Sequence, residues 1–96
     1  MPIVYCSLEI HLPYSHSLKE KRNVLRKTMD RLRARFNFSI SEIGHQDVWQ
    51  RARVGAVSIG PDRKVLERVS TQFIRESERI LGGDLVKYDV EIFECD

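Results

Sequence analysis

The sequence predicts one α+β domain of element order βαββαβ, and three observations carry that prediction. Four stretches place apolar residues at every second position, two long stretches repeat them at helical spacing, and both helical stretches open on a capping residue. A length of 96 residues suffices for one hydrophobic core and not for two, so residues 1–96 are expected to form a single domain.

Val4, Cys6, Leu8, Ile10 and Leu12 alternate with Tyr5, Ser7, Glu9 and His11, which makes a first strand with one buried face. Pro13 and Tyr14 end it. Ser17 and Glu20 then form a capping box, in which hydroxyl and carboxylate satisfy unpaired backbone donors, and a helix starts near Leu18. Along it Leu25, Met29, Leu32 and Phe36 follow Leu18 at offsets of 7, 11, 14 and 18, one apolar stripe for packing on a sheet. Asn37 breaks that pattern. Phe38 and Ile40 alternate with Ser39 and Ser41 in a short strand ending near Gly44, and a polar loop follows. From Arg51 to Gly60 a third strand carries Val54, Ala56, Val57 and Ile59, with Gly55 as a bulge or close-approach point. Gly60 and Pro61 turn the chain, and Asp62 caps a second helix of about five turns, marked by Val65, Leu66, Val69, Phe73, Ser77 and Ile80. Gly82 and Gly83 supply its left-handed stop. Val86, Tyr88, Val90 and Ile92 alternate with Lys87, Asp89, Glu91 and Phe93 in a last strand.

This order closes most economically as a four-stranded antiparallel sheet, spatial order 4-1-3-2, with both helices on one face: the ferredoxin-like arrangement. The other face then carries Glu9, His11, Arg51, Arg53, Lys87, Asp89 and Glu91 beside Tyr5, Gly55, Val57, Ile59 and Phe93. Such a face suits solvent or a partner, and Val57 and Ile59 make a homodimer through it one of two readings, a monomer being the other. Strand parity places Cys6 on the helix side and Cys95 on the opposite side, so the two are not expected to bridge. They match neither a close-spaced metal pattern nor a CxxC pair.

Hydrophobic residues at 42% and charged residues at 31% describe a chain that folds. No apolar run approaches the roughly 20 residues of a membrane span, and Met1 to Ser7 lack the basic start of a signal peptide, so a cytoplasmic address is expected and no membrane partner.

Charge is the most informative functional feature. Between Ser17 and Phe36 stand eight Lys or Arg against Glu20 and Asp30, a segment of +6 in a chain of +2, so the remainder sums to −4. Lys19, Arg22, Arg26 and Arg33 cluster beside the apolar stripe, and Lys27 and Arg31 lie on the outer face. Phosphates could run along that edge, and the excess of Arg favours anion recognition because a guanidinium forks phosphate where an ammonium cannot. The plainer alternative is a solvated helix face. The loop Gly44-His45-Gln46-Asp47-Val48-Trp49-Gln50-Arg51-Ala52 is the second feature, since a surface Trp among polar groups can stack on a base or anchor a protein. Its structural alternative has Trp49 folding back on the core edge, Asp47 capping the hairpin turn and Arg51 pairing with Glu9.

Ser17-Leu18-Lys19-Glu20-Lys21-Arg22, Arg35-Phe36-Asn37, Glu42 with Gly44, and Gln46-Asp47 with Trp49-Gln50-Arg51-Ala52 together resemble the YlxP-like bacterial family. The resemblance spans nearly the whole chain. It implies a ferredoxin-like domain of unknown function, in bacteria, often encoded among translation and ribosome-maturation factors, with no catalytic residue to carry over.

Enzyme chemistries find few residues to use. Acylphosphatases share this fold but need a glycine-rich phosphate loop after the first strand, and Leu12 to Ser17 holds no glycine. His11, His16 and His45 lack a ligand spacing, so no metal is expected. GxSxG, P-loop and GxGxxG patterns are absent, as are the stacking aromatics an RNA-recognition motif needs on its third strand. The expectation is a non-catalytic, cofactor-free module that binds RNA or the ribosome through helix and loop, with no small-molecule substrate identified. A homodimeric protein-interaction module is the alternative.

Overall fold

A computed structural model of the chain describes residues 1–95. The elements follow as β1 (Pro2–His11), α1 (Leu18–Arg35), β2 (Ser39–Gly44), β3 (Arg51–Ile59), α2 (Arg63–Leu81) and β4 (Leu85–Glu94). All strand pairs are antiparallel in the order β2-β3-β1-β4, which is the expected order counted from the other edge. Cys6 stands opposite Ala56 on one side and Val90 on the other, so the alternation expected for the central strand sets the register.

Val4, Cys6, Leu8 and Ile10 point into the helix-covered face and are wholly buried, joined there by Ile40, Val54 and Ala56. The helices add Leu25 and Leu32 from α1 and Leu66, Phe73, Ile74 and Leu81 from α2. At one end three rings close the core: Phe38 stacks on Phe73 at 4.6 Å, and Phe36 meets Phe73 edge-on at 5.5 Å. Helix ends obey their signals. Ser17 Oγ accepts from the Glu20 N–H at 3.1 Å, while the Glu20 carboxylate reaches one residue beyond the cap and accepts from the His16 N–H at 2.8 Å. Asp62 accepts from the N–H groups of Lys64 and Val65, and Gly82 takes the positive φ of 56° that ends α2.

Two readings are refined. Gly55 is a close-approach point and not a bulge, because a Cβ there would lie 3.0 Å from Ile43 Cδ1; the register of β2 on β3 shifts instead between Glu42 and Gly44. In β4 the alternation holds from Lys87 to Phe93 but burial does not, and a register shift against β1 leaves Val86 as an extra residue and returns Leu85 to the core side. Tyr88 and Val90 remain 48% and 38% exposed, since α2 packs against both β1 and β4 and does not reach across the outer strand.

The cysteines are free, Cys6 buried and Cys95 exposed. Burial pushes the Cys6 thiol up to about 11, because a thiolate there would be poorly solvated. A disulfide reagent at neutral pH should therefore modify Cys95 alone in the native chain and both thiols after denaturation. The raised thiol adds stability that is complete below the ordinary thiol range and is lost as pH climbs from there towards 11. Rapid native labelling of two thiols would contradict this placement.

Candidate nucleic-acid interface: the first helix and the polar loop

Within α1 the buried positions are Lys21, Leu25, Thr28 and Leu32, at offsets of 4, 7 and 11 from the first. A lysine thus occupies the centre of the stripe that faces the sheet. Its side chain has no exposed surface, and its ammonium donates to the carbonyl oxygens of His45 at 2.8 Å, Gln46 at 3.2 Å and Arg51 at 3.3 Å. Glu42 supplies the countercharge, with an oxygen 3.0 Å from Lys21 Nζ. That oxygen lies outside hydrogen-bond alignment, so three carbonyls satisfy the three ammonium protons and the carboxylate neutralises the charge.

Lys21 is therefore a clamp, and what it clamps is the loop between β2 and β3. His45 turns that loop with a φ of 59°, a left-handed value that costs a side-chain-bearing residue about 1 kcal/mol or more unless its surroundings hold it. Val48 N–H closes the turn on His45 O at 3.1 Å. Gln50 fastens the far side, donating from Nε2 to Pro13 O at 3.1 Å and Ser15 O at 3.3 Å, while the Leu12 N–H donates to Gln50 O at 2.8 Å. Gln46 Nε2 donates to Glu42 O at 3.4 Å. Gly44 sits where a Cβ would come within 3.2 Å of Arg53 Cβ. The SLKEKR segment and the QDxWQRA segment, far apart in sequence, are thus two halves of one contact.

Around this clamp the candidate binding residues divide. Lys19, Arg22, Arg26, Lys27 and Arg31 are exposed on α1 and form no ion pair among the described residues; Arg26 donates to Asn23 Oδ1 at 2.9 Å. The two carboxylates of the segment are occupied, Glu20 by the His16 N–H and Asp30 by Arg33 at 3.2 Å. From Lys19 to Arg31 the free cations cover roughly 18 Å of helix. Arg33 does not belong with them as expected: it also donates to Ile40 O at 2.7 Å, tying the end of α1 to β2. Arg35 is likewise engaged, sharing Glu76 with Arg79, and that hydrogen-bonded pairing with Arg79 holds the Glu76 carboxyl below its usual range.

The structural alternative for the loop is overturned at three points. Trp49 is 52% exposed and does not cover the core. Asp47 is exposed and its side chain forms no hydrogen bond among the described residues. Glu9 pairs with Arg53, its neighbour across the sheet, while Arg51 projects from the strand end without an ion pair among those residues. His45 Nε2 lies 3.6 Å from a Glu9 carboxylate oxygen and is buried without a hydrogen-bond partner among the described residues. Asp47, Val48, Trp49 and Gln50 line a shallow hollow at the end of the sheet where α1 begins. Apolar periodicity passes over Lys21 because it counts only apolar residues; the offsets from Lys21 to Leu25, Thr28 and Leu32 are the signal that could find it.

Topology, register and helix placement define a ferredoxin-like α+β domain whose distinctive part is the lysine-clamped loop. The chain belongs to the family described as "Protein of unknown function (DUF503)", which matches residues 3–90. It is similar to the "Uncharacterized protein YlxP" of Bacillus subtilis (strain 168), 49% identical over 57 residues, a match that takes in 55% of this chain and 62% of that protein. Among solved structures it resembles an antibiotic biosynthesis monooxygenase, TM-score 0.57 and 12% identity, covering the whole of this chain and 99% of that one. It also resembles a dimeric ferredoxin-like protein of unknown function from Thermobifida fusca, TM-score 0.56 and 10% identity, covering 99% and 92%. At such identities these likenesses show the fold alone.

Proposed function

We propose that this chain is a non-catalytic accessory module that binds structured RNA, in a ribosome-associated setting, through the outer face of α1. The observation that carries the reading is the row Lys19, Arg22, Arg26, Lys27 and Arg31, exposed and unpaired among the described residues while the nearby carboxylates are already occupied. Charges that pair at home contribute little field; unpaired ones along one helix make a stripe of positive potential able to displace counterions from phosphates. Trp49 and Arg51 extend that stripe, since Lys21 and Gln50 hold their loop at the N-terminal end of α1. A half-exposed indole on a fixed loop presents a flat face for an unpaired base.

Titration of a fluorescent RNA hairpin across a salt series tests this. Three to five phosphate contacts should give a log–log slope of about −3 to −4.5, taking roughly −0.9 per phosphate. Trp49→Ala should weaken binding only to hairpins with an unpaired loop and leave the melting temperature nearly unchanged. An absence of salt-sensitive affinity tighter than about 100 μM would remove the reading.

A further inference from the structure

The two edges of the sheet are treated differently. On one side β2 is six residues long, and Arg33 occupies the Ile40 carbonyl. On the other, β4 runs for ten residues without proline, and among the described residues no side chain hydrogen-bonds to its outward backbone. An open, long and partly apolar edge is a template for another strand unless something covers it. Its helix-side residues Tyr88 and Val90 also line a groove against Ile74, Arg75 and Glu78 of α2, so apolar surface continues past the point where this chain's own helices stop.

We infer that β4 is a homodimer interface, in which two copies pair antiparallel about a two-fold axis at Tyr88 and join their sheets into one of eight strands. The occupant is a second copy because β4 is complementary to itself. In a two-fold antiparallel pair, opposite residues share a face, so the axis must pass through a residue. With the axis at Tyr88, Lys87 of each copy faces Asp89 of the other on the open side of the sheet. On the helix side Tyr88 then meets its own copy, and the register shift of β4 against β1 leaves Val86 outside the alternation. Centring on Lys87, Asp89 or Glu91 sets that charge against itself, and centring on Val90 sets Asp89 against Glu91. Like charges directly opposite destabilise a strand pair, whereas opposite charges stabilise it. This interface replaces the Val57 and Ile59 face as the site of self-association and does not depend on RNA binding.

Light scattering and sedimentation equilibrium on the intact chain provide the test. The parent should be dimeric at about 200 μM and dissociate on dilution. Lys87→Asp and Asp89→Lys should each weaken the dimer about tenfold or more, because each turns two attractive pairs into two repulsive ones. Combining them should restore the parent dissociation constant to within about threefold, a recovery that damage to the fold would not produce. Since Lys87→Asp also places a carboxylate opposite Glu9 within the chain, a second measurement guards against misfolding. Tyr88→Cys in a Cys95→Ser background should form an intermolecular disulfide under mild oxidation. A monomeric parent at that concentration, charge exchange without recovery, or a dimer abolished by Val57→Lys and indifferent to the β4 variants would each overturn the inference.

Discussion

Lys21→Met should lower stability by about 2–4 kcal/mol. The thioether fits the same channel between α1 and the loop, so the loss comes from what is left behind. Three carbonyl oxygens, of His45, Gln46 and Arg51, lose their common donor, and Glu42 loses its countercharge. Removing one partner of a buried pair typically costs about 3–5 kcal/mol, and the figure is set lower here because Glu42 retains 19% exposure and can take up water. For a domain of this size such a loss lowers the melting temperature by roughly 10–25 °C. Urea and thermal melts followed by circular dichroism check it. Glu42→Gln should lose less, since the three carbonyl bonds remain. If Lys21→Met melts within a few degrees of the parent, the clamp contributes nothing and the loop is held by other means.

Changing Arg22 and Arg26 together to Glu should weaken RNA binding more than tenfold while stability moves by less than about 0.5 kcal/mol. Both guanidiniums are exposed, and neither pairs with a carboxylate among the described residues, so their removal breaks no ion pair that holds the fold. Each reversal deletes one phosphate contact and adds a repulsive charge to the same face, and the salt slope should fall by about two contacts' worth. Arg33 marks the contrast. Its side chain holds Ile40 O and Asp30, so its loss should register first in the melt. Equal affinity of the parent and the doubly reversed chain for a hairpin would place any RNA contact elsewhere.

The fold was legible because its signals are local and redundant. The strand alternation around Cys6, the boxes at Ser17 and Asp62 and the stop at Gly82 each report on a few neighbouring residues, and the antiparallel order follows from arranging them. Two features were not legible, for one reason. Whether Lys21 points out or in depends on three carbonyls collected by a loop more than twenty residues later, and composition assigns a lysine to water by default. Whether Val90 is covered depends on how far α2 extends across the sheet, which periodicity does not encode. The candidate site is half visible in sequence: helical spacing groups Arg33 with the free cations of α1, and the polar loop marks Trp49 without fixing whether the indole stands in solvent.

Trp49 is the chain's single tryptophan, and it rides on the segment that Lys21 fastens. Its emission therefore senses one place on the molecule, remote from the Phe36, Phe38 and Phe73 cluster at the other end of the core. If the loop detaches before the sheet melts, denaturation followed by fluorescence precedes denaturation followed by ellipticity. The gap between the two midpoints then measures a local opening that ellipticity alone does not resolve. An optical probe that reads the lysine clamp comes built into the native sequence.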